Sequence, residues 1–190
     1  MKKLYIFDMG GVVSRNNDVT ALIADHLGLA ERRLYELARD DFQELTTGAI
    51  TVEMFWKRFS EASGTEVEED LLARFFHPEP DREVLDIIGR LRGRARVVVG
   101  TNTIEPHYRA HLSRGDYEVF DAVYASNRMG LAKPDPAFYT FILQREGCEG
   151  REAVFVDDME VNVEAAAELG IEAFLFDGAA KLAEELALPS

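Results

Sequence analysis

The sequence predicts an α/β fold: a parallel sheet with helices on both faces, interrupted by an inserted all-helical segment. Three observations carry that expectation. Four short apolar runs, LYIF (4–7), RVVV (96–99), AVFV (153–156) and AFLF (173–176), read as fully buried strands. Helical periodicity lies between them, and alternating strands and helices build parallel sheets. Between Ser14 and about Pro80 the alternation stops, leaving helical signals and no convincing strand.

Taken in order, LYIF delivers Asp8 at its end and turns at once on Gly10 and Gly11. In the interval that follows, Val19, Leu22, Ile23 and Leu27 share a helical face that stops at Gly28, with His26 packed on the same stripe. Val52, Phe55, Trp56 and Phe59 form a second stripe, read as core. Thr65-Glu66-Val67-Glu68 reads as a capping box ahead of Leu71, Leu72 and Phe75. Such an interval is too long for a strand-to-helix loop. The chain therefore divides into a core, 1–14 with 81–190, and a helical insertion, 15–80. Beyond it, Val84, Ile87, Ile88 and Leu91 mark a helix ending at Gly93, and Ala122-Val123-Tyr124 is a weaker strand. Asp135-Pro136 opens a helix containing Phe138, Phe141 and Ile142; Val163, Ala166 and Ala167 precede a stop at Gly170. His107 and His111 fall one turn apart on what reads as an exposed helix face.

The 190 residues suit one domain with a small insertion, and 47% are apolar. A formal charge of −14 argues against nucleic acid or an anionic membrane as partner. It leaves room for a phosphate ester if a local cation offsets the repulsion. The single cysteine, Cys148, forms no internal disulfide, and Asp8 breaks the apolar start that would otherwise imitate a signal peptide. A cytoplasmic protein is expected, with oligomeric state open between monomer and homodimer.

Ligands of open parallel sheets bind beyond the carboxyl ends of the strands. The polar residues there are Asp8, Thr101 with Asn102, Lys133 in the loop MGLAKPDP, and Asp157-Asp158. A charge ending an apolar strand is costly unless paired. Two carboxylate sites, a hydroxyl and a lysine suit Mg²⁺-assisted phosphoryl transfer: carboxylates hold the metal, Lys and metal neutralise phosphate oxygens, and one Asp attacks phosphorus.

FDMGGVV, VVVGTN, SNRMGLAKPDPAFY and VFVDDMEVN resemble, in order, the four motifs of the haloacid dehalogenase (HAD) superfamily, across nearly the whole chain. The resemblance implies a Rossmann-like sheet of strand order 3-2-1-4-5, with the insertion as its helical cap. It implies Asp8 as nucleophile, Thr101 and Lys133 on the transferred phosphoryl group, and Mg²⁺ held by Asp8, Asp157, Asp158 and the Gly10 carbonyl. Gly11, Asn102 and Asn162 would support phosphate and metal; Arg15, Asn16 and the segment 41–47 (DFQELTT), with Gln43 in it, should lie near the cleft and read the substrate. The activity implied is a phosphatase for a small phosphorylated metabolite such as a sugar phosphate.

One position departs from the pattern. Most phosphatases that the sequence resembles carry an aspartate acid/base two residues after the nucleophile, where this chain has Gly10; losing such a group typically costs on the order of 10²–10⁴-fold. A weak or inactive binding relative, a substitute acid from water or cap, and a substrate with a good leaving group are the three outcomes. A subgroup that the chain resembles, the sugar-1-phosphate phosphatases, has this Asp-x-Gly variant and keeps the last outcome open. The rivals are a metal-independent 2-haloacid dehalogenase, poorly served by adjacent Asp157 and Asp158, and a phosphoacceptor receiver module, whose acidic pair sits on the first strand instead.

Overall fold

The computed structural model describes residues 2–187; residue 1 and residues 188–190, the ends of the expected core, lie outside them. The chain runs β1 (Leu4–Phe7), β2 (Ser14–Arg15), helices α1 (Thr20–Leu27), α2 (Glu31–Thr46), α3 (Val52–Ser63) and α4 (Leu71–Arg74), then β3 (Glu79–Pro80) and α5 (Arg82–Arg92). It continues through β4 (Arg96–Thr101), α6 (Glu105–Arg114), β5 (Ala122–Ala125), α7 (Ser126–Met129) and α8 (Pro136–Glu146). Strand β6 (Ala153–Asp157), α9 (Glu160–Glu168), β7 (Glu172–Leu175) and α10 (Ala179–Glu185) complete it.

Five strands form a parallel sheet of order β5-β4-β1-β6-β7. Counting these sheet strands alone, the order is the expected 3-2-1-4-5. The apolar runs become strands because both faces are covered. Phe7, Val97, Val99, Val154 and Val156 pack under Ile87, Ile88 and Leu91 of α5 and Leu182 of α10. On the opposite face Leu4, Ile6, Val98 and Phe155 meet Phe138 and Ile142 of α8 and Ala166 of α9. The two-residue alternation of a strand explains that split. Central β1 is flanked by β4 and β6, so Asp8 and Asp157 emerge on neighbouring strands at the sheet's carboxyl edge.

Helices α1–α4 have an apolar cluster of their own, including Ile23, Leu34, Phe55, Trp56, Phe59 and Leu71, which Ile104 of the core also joins. Phe55–Trp56 and Trp56–Phe59 meet edge-on at centroid separations of 5.0 and 5.6 Å. The chain leaves and returns through an antiparallel ribbon, Ser14 opposite Pro80 and Arg15 opposite Glu79. Asp81 anchors it, pairing with Arg15 while capping α5 through the Glu83 and Val84 amides.

Several local expectations are corrected. The interval from Ser14 to Pro80 is not free of strand, but two-residue β2 and β3 are too short to leave a period. Residues 65–68 are not helical; α4 starts later, because Asp70 caps it through the Ala73 amide and also accepts from Trp56 Nε1. The stripe on α1 is narrower than read: Leu22 is 51% exposed, and His26 is exposed, 3.8 Å from Glu69. The His107–His111 face is covered rather than exposed, because Phe76 packs onto it, stacked at 3.6 Å on His107.

Phe59 is 1% exposed at the centre of the insertion's cluster. Phe59→Ala should destabilise the fold by about 3–5 kcal/mol, read from urea unfolding; a loss below about 1 kcal/mol would mean that this cluster does not hold the helices together.

Candidate active site

Asp8 directly follows β1, Asp157 ends β6, and Asp158 comes next. One oxygen of each lies within 4.8 Å of the others. Lys133, brought in by the loop after α7, places Nζ 2.8 Å from Asp8 Oδ1 and 2.6 Å from Asp157 Oδ2. That loop is fixed by Asn102: its Nδ2 donates to the Lys133 carbonyl and its Oδ1 accepts from the Lys133 amide, both at 2.8 Å. Asp157 Oδ1 accepts from Asn162 Nδ2 and the Met159 amide, both at 2.9 Å. The Tyr139 hydroxyl in turn donates to the Asn162 carbonyl.

These contacts set the charges. Burial pushes the Asp8 carboxyl up to about 6, with Lys133 opposing the rise and Asp157 adding to it. Burial works against the Lys133 ammonium, yet Asp8 and Asp157 together hold it above the ordinary lysine range. Burial, then the Asp157 charge, raises Asp158. Three carboxylates facing one ammonium leave a surplus of negative charge, and hard oxygen donors in that number suit Mg²⁺. Asp157 already has both oxygens engaged, whereas Asp158 pairs with no lysine or arginine among the described residues.

The two glycines of the first loop differ. Gly11 has φ +79°, and a Cβ there would lie 2.0 Å from Asp158 Oδ2, so a side chain is excluded twice over. At Gly10 a Cβ would meet nothing nearer than Asn17 Cγ at 3.5 Å, an ordinary contact.

A cavity of about 290 Å³ opens beside Gly10, Thr101 and Asn102. Its far wall comes from Asn17, Phe42 and Thr46 of the insertion, and its flank from His107, His111 and Tyr117. A more apolar recess of about 350 Å³ inside the insertion shares Asn17, Phe42 and His107 with it. A wider groove, about 840 Å³ between α3 and α6–α7, contains none of the candidate catalytic, metal or phosphate residues.

The structure thus brings together Asp8, Gly10, Gly11, Thr101, Asn102, Lys133, Asp157, Asp158 and Asn162. It does not bring Arg15, Asn16 or Gln43 to the cavity beside Gly10. Arg15 is drawn into its pair with Asp81, and Asn16 is exposed in a left-handed turn of φ 57°. Gln43 borders the apolar recess instead, since helical spacing turns Phe42 and Thr46 toward the site. Phe42 and Thr46 of the segment 41–47 do reach the cavity, as expected of that segment, whereas the sequence reading missed Asn17 and Tyr117 as cavity residues. It also missed the Lys133–Asp157 pair, although a buried carboxylate beside a metal ligand is itself a signal for a second cation.

The haloacid dehalogenase-like hydrolase family model matches residues 2–170, and the chain belongs to that family. It is 31% identical to the D-ribitol-5-phosphate phosphatase of Bacteroides thetaiotaomicron, over 98% of this chain and 97% of that one. A sesquiterpene phosphatase of Aspergillus oryzae is 27% identical over 89% and 87% of the two chains. Among solved structures, a HAD family enzyme from Bacteroides thetaiotaomicron in a magnesium complex superposes with a TM-score of 0.82, at 25% identity, over 100% and 99% of the two chains.

Lys133→Met should cost about 3–5 kcal/mol in urea unfolding at pH 7, because two buried carboxylates lose their cation. A variant as stable as the parent would show that the ion cluster is not part of what holds the strand ends together.

Proposed function

We propose that this chain is a Mg²⁺-dependent phosphatase of a small phosphorylated metabolite, working through an aspartyl-phosphate on Asp8. The observation that carries the reading is the Asp8 carboxylate, which shares Lys133 with Asp157 and has Asp158 within 4.8 Å. When bound, Mg²⁺ would be held by Asp8, Asp158 and the Gly10 carbonyl, with Asp157 behind, and would offset the charge between carboxylate and phosphate. Lys133 restrains the Asp8 charge and, with the buried Thr101 hydroxyl, receives the phosphoryl oxygens. Asp8 attacks phosphorus, the ester oxygen leaves, and water hydrolyses the acyl-phosphate.

The helical insertion serves as the cap. Phe42, Thr46 and Asn17 close the cavity over the reacting group, limit bulk water and meet the organic part of the substrate. A sugar or polyol phosphate is the substrate class favoured by the relative that acts on D-ribitol 5-phosphate. Both named relatives are phosphatases, which favours this chemistry over dehalogenation.

A panel of phosphorylated metabolites should release phosphate with Mg²⁺ and lose that activity with EDTA. Asp8→Asn should reduce turnover by more than about 10³-fold. EDTA-resistant turnover of 2-haloacids, or unchanged phosphate release by Asp8→Asn, would reject the proposal. Thermal shift supplies a second check. Since Mg²⁺ competes with the proton that a carboxyl titrating near 6 takes up, its stabilisation should be larger at pH 7.5 than at pH 5; equal shifts at both would count against Asp8 as a ligand.

A further inference from the structure

Gly10 leaves the departing alkoxide without a carboxylic acid in the usual place, which turns attention to proton donors on the other walls of the cavity. Most candidates there have already committed their proton. The hydroxyls of Thr46 and Thr103 donate to the carbonyls of Phe42 and Ile104, and that of Thr101 is assigned to the phosphoryl oxygens. His107 Nε2 faces the Leu72 carbonyl at 3.2 Å, which only accepts, so the ring proton lies there. Burial pushes His107 down to about 4 and leaves its second nitrogen a bare acceptor at neutral pH. His111 Nδ1 is 2.8 Å from Asp116 Oδ2, so its proton is also engaged.

Tyr117 differs. It is only 6% exposed, it is among the residues bordering the same cavity as Gly10 and Thr101, and its enclosed hydroxyl has no hydrogen-bond partner among the described residues. A buried hydroxyl without an acceptor costs on the order of 1–3 kcal/mol, a cost a ligand oxygen would relieve. The ring is fixed between Tyr108 and His111, at centroid separations of 5.4 and 5.6 Å.

We propose that Tyr117 is the general acid and base of this enzyme, supplying to the leaving oxygen the proton that a residue at position 10 would otherwise give. The proposal rests on the phosphatase reading. In the first step an Asp8 oxygen bonds to phosphorus and the P–O(R) bond breaks. Its electron pair goes to the ester oxygen, which takes the Tyr117 proton, releasing ROH and leaving tyrosinate. In the second step water attacks phosphorus, its proton passes to the tyrosinate, and the bond to Asp8 breaks to give inorganic phosphate and the free carboxylate. Burial raises the Tyr117 pKa, with the charges of Tyr108, Asp116 and Asp8 adding, so the phenol enters each cycle protonated.

The test compares an ester that needs its leaving group protonated with one that does not. Glycerol 3-phosphate and p-nitrophenyl phosphate serve, each assayed with Mg²⁺ on the parent, Tyr117→Phe and the double variant Gly10→Asp/Tyr117→Phe. Phenylalanine removes an unpartnered hydroxyl, so Tyr117→Phe should fold, as circular dichroism would check. The kcat of Tyr117→Phe should fall at least about 10²-fold further on glycerol 3-phosphate than on p-nitrophenyl phosphate. The double variant should recover the alkyl ester, since position 10 has room for a Cβ. Equal losses on both esters, no loss on either, or a parent that hydrolyses only the aryl ester would overturn the role of Tyr117 while leaving the phosphatase intact. A parent that releases phosphate from neither ester, nor from the metabolite panel, would overturn both.

Discussion

The Lys133 ammonium, buried between the carboxylates of Asp8 and Asp157, is the interaction on which the rest of the site depends. Each carboxylate terminates a strand whose other residues are apolar, and neither would be tolerated there without a cation. The cation itself arrives on a loop, so the loop must be held as firmly as the strands. Asn102 does that through both polar ends of its amide, and Asn162, tied to Tyr139, does the same for Asp157. A single lysine therefore links β1, β6 and the loop after α7, and one ammonium among three carboxylates keeps the cluster short of positive charge. That deficit leaves, in an acidic protein of formal charge −14, a cluster of hard oxygen donors whose charge suits a divalent cation.

Space around the cluster is allotted by two adjacent glycines with different causes. Gly11 is required by backbone sign and by the approach of Asp158; Gly10 is required by neither. The openness at Gly10 continues into a cavity whose other walls combine aromatic and imidazole rings with threonine and asparagine side chains. With the neighbouring histidine protons turned toward Leu72 and Asp116, the wall is polar in its acceptors and sparing in its donors.

Much of this was legible in the sequence because it depends on short-range patterns. Continuous apolar runs exposed the buried strands, and polar residues at their ends exposed Asp8, Thr101 and Asp157-Asp158. Asp135 before Pro136 announced its own cap, and Asp135 does accept from the Ala137 amide. What stayed hidden depends on packing between distant segments. Nothing local tells that Phe76 covers His107, that Tyr117 borders the cavity, or that Asp81 pairs with Arg15. The phase of α2 was also ambiguous, since its polar residues outnumber its apolar ones and Phe42 and Gln43 are neighbours.

The ribbon at Ser14–Arg15 and Glu79–Pro80 has a bearing on how the chain reaches this state. Strands β1 and β4 pair although roughly ninety residues separate them, and the entropy of closing such a loop grows with its length. Once the ribbon zips, the free path between them shortens to roughly twenty-five residues, easing that closure by about 1 kcal/mol. Helices that assemble on their own core first would thereby act as a splint for the sheet, turning a distant pairing into a near one.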